Sequence, residues 1–141
     1  MSRIIFFLYL GQLLSFSILM KTRRWRYNVK FLLGGQAVIA AAFIAVFVSN
    51  HTVVFAGAFA VIGLVSGLCY FSSLFYTLHE PVIRSSLAGV HEGLLASGRL
   101  FGPIFFGAVA GASNLKVPYL VLAFIFALFG LHTFVQSRRL D

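Results

Sequence analysis

The chain has 141 residues, of which 60% are hydrophobic and only 10% charged, and its mean hydropathy is +0.98. A water-soluble domain needs more polar surface than this, so lipid is the natural solvent for most of the side chains. The net charge of +8 comes from 11 Lys and Arg against 3 acids; it lies between the apolar runs, beside anionic headgroups, which argues against nucleic acid as a partner.

Five apolar runs follow one another at about 4–20, 31–49, 53–78, 86–112 and 117–135, and roughly 20 helical residues suffice to cross a hydrocarbon core of about 30 Å. Backbone groups in lipid must pair internally, and the alternation of a membrane barrel is absent. The expected fold is therefore all-α, a single region of five transmembrane helices spanning residues 1–141. The first run, Arg3 followed by IIFFLYL, imitates a secretory signal. No A-x-A-like cleavage site follows it, and the basic stop KTRRWRYNVK comes directly after, so it reads as a spanning helix. The short loops make consecutive helices antiparallel neighbours.

The third run ends in the polar stretch YFSSLFYTL, which carries Tyr70, Ser72, Ser73 and Tyr76. Serines in such helices bond their own backbone and tyrosines mark the interface, while a polar face turned into a cavity is the functional alternative. The fourth run carries GVHEGLLASGRLFGP, with His91, Glu92 and Arg99. Burying an arginine in a spanning helix costs about 2.5 to 3.5 kcal/mol, so Arg99 is expected to face an aqueous cavity or a buried partner. Glu92 and His91 fall near the expected start of the helix, where an acid suits the positive end of the helix dipole. Gly63/Gly67, Gly89/Gly93, Gly98/Gly102 and Gly107/Gly111 all fit GxxxG, which makes the fourth run the expected central packing helix. Because the third and fourth runs exceed the minimum span, tilt, a kink or an extension beyond the bilayer is expected, with Gly63, Gly67, Gly98 and Pro103 as candidate weak points.

The loops set an orientation. Lys21, Arg23, Arg24, Arg26, Lys30, Arg84, Arg138 and Arg139 fall on one side, Arg3 and Lys116 on the other. The positive-inside rule then places the N-terminus outside and the C-terminus in the cytoplasm of a cell-membrane, multi-pass protein. A first helix entering from outside with almost nothing before it suggests further helices upstream.

No enzyme is supported. HE occurs at His79–Glu80 and His91–Glu92, but Ile83 and Leu95 stand where a zincin needs its second histidine. His51 and His132 stand alone, and Cys69 is the single cysteine, so neither a metal set nor a disulfide is expected. No phosphate-binding loop or activated nucleophile is recognisable, and no cofactor is expected.

The stretch YFSSLFYTLHEPVIRSSLAGVHEGLLASGRLFGPIFFG resembles the tenth and eleventh helices of bacterial major facilitator superfamily transporters. There a Y-x-S-S-L-x-Y run, a short cytoplasmic loop, an A-G-x-H-E element and a G-x-x-x-G-P element follow in this order. The match covers residues 70–107; elsewhere it rests on hydropathy and topology. It implies that the five runs are helices eight to twelve, a partial C-terminal half-bundle, and that the charge-derived orientation is the family's. The family's basic loop motif is only partly present in SILMKTRRWR, where Met20 replaces the acid and Arg23 the inner glycine, so no gating role carries over to this loop. By the same resemblance the third run borders the substrate path and Arg99 sits at the moving interface between halves. Tyr70, Ser72, Ser73, Tyr76, His91, Glu92 and Arg99 are thus the candidate residues of a substrate path or half-domain interface. The function this implies is the C-terminal part of a secondary transporter moving a small solute by alternating access, coupled to an ion, in company with N-terminal helices of the same transporter. The alternative is a small standalone membrane protein that packs against other subunits without transporting anything.

Overall fold

The structure, a computed structural model, describes residues 2–22, 25, 28–79 and 84–138. Arg23, Arg24, Arg26, Glu80, Ile83 and Arg139 lie outside the described residues, as do the side chains of Arg3, His79 and Arg84. Five helices follow in order: α1 (Ser2–Lys21), α2 (Val29–Val48), α3 (Thr52–His79), α4 (Arg84–Ala112) and α5 (Val117–Ser137). All five are long and apolar enough to cross a membrane, and no strand occurs among the described residues. Where the helices begin has local causes. The Asn28 side chain accepts from the Lys30 N–H and caps α2, and Pro118 occupies the first turn of α5, where a missing N–H does no harm.

The most extensive contact is between α1 and α3, which run parallel. It is built from backbone against backbone. A Cβ on Gly11 would collide with the Ala60 carbonyl, one on Gly63 with the Leu8 carbonyl, and one on Gly67 would stand 2.8 Å from the Ser15 Cβ. Gly11 and Ser15 on α1 therefore mirror Gly63 and Gly67 on α3, a small-xxx-small pair on each helix. α3 is helical through Gly63 and Gly67, as α4 is through Gly98 and Pro103.

A second seam joins α2 to α3 and α5. Ile39, Ala42, Phe43 and Val46 of α2 meet Ala58, Ile62 and Val65 of α3 and Ala123 of α5. Phe43 lies nearly parallel to Tyr119, with ring centroids 6.4 Å apart, and close to Phe126 at 5.8 Å. At the loop end of this seam the Lys116 ammonium donates to the Ser49 carbonyl and to Asn50 Oδ1, both at 2.6 Å. That clasp puts the α2–α3 and α4–α5 connections at one end of the bundle, as alternating spans require.

The expectation for α4 needs correction. It is the least packed helix, touching α3 and α5 only, and none of its spanning residues 86–112 is buried. A Cβ at Gly89, Gly93, Gly98, Gly102, Gly107 or Gly111 would meet nothing within 4 Å. GxxxG permits a close approach but does not compel one, because lipid tails solvate a bare helix face as well as a neighbouring helix does.

Candidate functional site at the α3 and α4 contact

The polar end of α3 and the start of α4 come together. Ser73 Oγ lies 2.7 Å from His91 Nε2 and 2.9 Å from the Tyr70 carbonyl, to which it donates. A hydroxyl has one proton to give, so with that proton on the Tyr70 carbonyl the imidazole donates from Nε2 to Ser73. The Tyr70 ring stands against the His91 ring, with centroids 5.7 Å apart. The other ring nitrogen, Nδ1, is 3.4 Å from Glu92 Oε1, within ion-pair reach but outside hydrogen-bond geometry. His91 is mostly enclosed, with 14% of its side chain exposed, whereas Glu92 is 58% exposed. Among the described residues, His91 Nδ1 is thus a buried nitrogen with a carboxylate nearby and no hydrogen bond.

The role expected for Glu92 at the helix end does not survive. Helix α4 begins at Arg84 with no acid in its first turn, and Glu92 stands eight residues further on. The field of a helix dipole fades within the first turn, so Glu92 is placed by its neighbour His91 and not by the helix terminus. His91, expected beside it as an anchor of that end, instead points across to α3.

On another side of α3, Ser72, Ser73 and Tyr76 line a cleft of about 430 Å³ with Trp25, Asn28, Phe31, Leu32, Leu68 and Cys69. Ser72 Oγ is buried and donates to its own helix, 2.7 Å from the Leu68 carbonyl, so the self-bonding expected of these serines is seen at a wall that also borders a cavity. One wall of the cleft is the side chain of Trp25, which is 3% exposed in the α1–α2 connection and packs edge-on against Phe71 and Phe75. Trp25 was not among the expected site residues. Its signal was being the one tryptophan in the chain.

Arg99 joins neither group. It is exposed, two turns beyond Glu92, and makes no ion pair among the described residues. No cluster of three or more His, Cys, Asp or Glu that could hold a metal is present among the described residues. The structure therefore brings together Tyr70, Ser73, His91 and Glu92, sets Ser72 and Tyr76 on the cleft with Ser73, and leaves Arg99 alone. Compared with known proteins, the chain matches no family model, no curated protein and no solved structure.

Proposed function

We propose that the chain is the C-terminal part of a secondary transporter of the major facilitator type, with α1 to α5 corresponding to its helices eight to twelve. The observation that carries this reading is the polar contact of Ser73 with His91, made between two spanning-length helices inside residues 70–107, where the resemblance lies. Polar groups between spanning helices are costly and mark solute or ion paths. The open face of α4, with no buried residue in its span, supports the same reading, because alternating access needs one helix bundle to rock against another. In this assignment the cleft beside Ser72, Ser73 and Tyr76 borders the solute path, and Arg99 faces the opposing half. The test is the coding DNA upstream of Met1: an in-frame continuation through about seven further apolar segments supports a transporter of this type. A stop codon followed by a ribosome-binding site directly before Met1 favours the standalone packing subunit.

The orientation in this reading rests on the eight basic residues at one side against two at the other. Single cysteines at His51 and Leu115, both exposed loop positions, are expected to react from outside intact cells with an impermeant thiol reagent in a Cys69→Ser background. One at Ser137 is expected to react only after permeabilisation. These sites are preferable to Asn50 and Asn114, whose side chains hold the Lys116 clasp and its loop. Labelling of intact cells at Ser137 alone would reverse the topology.

A further inference from the structure

Arg99 is the one basic residue of the chain that lies inside an apolar run, and it stands at the centre of the α4 span, 13 residues from Ser86 and 13 from Ala112. At 1.5 Å per residue the span is about 40 Å long against a core of about 30 Å, so wherever the core falls along it Arg99 has at least about 10 Å of hydrocarbon on either side, more than its side chain covers. Snorkelling satisfies arginines near helix ends and does not serve here. A second unmet group sits at the same residue. Pro103, inside α4, has no N–H to give the Arg99 carbonyl four residues back, so the backbone acceptor there is also released. Acyl chains can satisfy neither group.

Among the described residues no carboxylate lies at the depth of Arg99. The chain's three acids are Glu80, Glu92 and Asp141. Glu92 is two turns away on the same helix, about 10 Å along the axis, beside His91. A second copy fails for the same reason: two copies inserted with one orientation set Arg99 level with Arg99, and each Glu92 about 10 Å away in depth.

We propose that the exposed side of α4 is a docking surface for a different transmembrane helix, one that carries a carboxylate at the depth of Arg99. The guanidinium supplies a fork of donors that a carboxylate accepts as a pair. Gly98, beside Arg99, and Gly102, less than one turn beyond it, have nothing within 4 Å of a Cβ position, which lets such a helix come close at the depth of the guanidinium. The inference rests on the proposed function only in that α4 crosses the bilayer; it requires no transport.

The test uses the full chain in phosphatidylcholine vesicles, with a donor dye on a cysteine at Leu115 in a Cys69→Ser background. The probes are acceptor-labelled spanning peptides of leucine and alanine, with aspartate at the centre, aspartate two turns off centre, or leucine at the centre. Energy transfer is expected to show the central-aspartate peptide associating about tenfold more tightly than the other two. Arg99→Leu is expected to abolish that preference, Arg99→Lys to keep part of it, and Arg99→Asp to transfer it to a peptide with a central lysine. Equal association of all peptides, or an aspartate preference that survives in Arg99→Leu, overturns the proposal. So does a requirement for added anionic phospholipid, which assigns Arg99 to a headgroup. A positive result with an upstream stop codon leaves the docking surface standing and removes the transporter.

Discussion

Gly63→Leu is expected to separate α1 from α3, with the largest structural effect of any glycine replacement in this chain. The neighbour of Gly63 is the Leu8 carbonyl, part of a helix backbone that cannot swing aside as a side chain does. The two helices must move apart, and everything their approach allows is lost together: the contact of Gly11 with Ala60, the contact of Gly67 with Ser15, and the ring contacts of Phe16 with Tyr70 and Phe71. In lipid no hydrophobic drive restores the interface, because the freed surfaces are solvated by acyl chains. Cysteines at Phe16 and Phe71 in a Cys69→Ala background report the change. Cross-linking of the two by a short bifunctional maleimide is expected with Gly63 in place, and on the order of tenfold more slowly in Gly63→Leu. Gly107→Leu on α4 is the control, since its Cβ position meets open space and cross-linking is expected to be unaltered. If the two leucine variants behave alike, the α1 and α3 interface described above is wrong.

Trp25→Ala is expected to lower stability by about 3 to 5 kcal/mol, the range for emptying a buried aromatic site. Two roles end together. The indole fills the space between Leu19, Leu68, Phe71 and Phe75, and its Nε1 donates to the Leu19 carbonyl at 3.2 Å. Leu19 belongs to the last turn of α1, whose carbonyls have no partner within the helix; Thr22 N–H serves the Ile18 carbonyl, and Trp25 serves the next. Trp25→Phe keeps most of the packing and loses the donor, so a loss of about 0.5 to 1.5 kcal/mol is expected. Loss of helical circular dichroism with rising SDS fraction in mixed micelles measures both. Because Trp25 is the only tryptophan, the emission of the unaltered protein gives a separate check: it should be blue-shifted and resist acrylamide until the helices come apart. An alanine variant that unfolds at the wild-type SDS fraction would show that the loop is not held by this side chain.

The number and bounds of the helices were legible in the residues because lipid leaves the backbone no other choice. A run such as 31–49 has no water to bond its amides, so it forms a helix wherever it packs, and the helix observed, Val29–Val48, differs only at its ends. The residue types at the α3 and α4 contact were legible for a related reason: Ser73 and His91 belong to short polar stretches that are conspicuous within long apolar runs. Which glycines are used could not be read. Gly63 and Gly93 carry the same local signal, yet one is pressed against a carbonyl and the other faces open space, since the choice depends on whether a facing helix offers a matching hollow, as Gly11 and Ser15 of α1 do. Nor could the placement of Glu92 be read, because it turns on α4 starting at Arg84 and on His91 reaching across to Ser73. Composition and hydropathy act through the solvent and determine each helix singly; the contacts between helices arise from shape and hydrogen bonding across residues 18 to 67 positions apart, which only the assembled bundle brings within range.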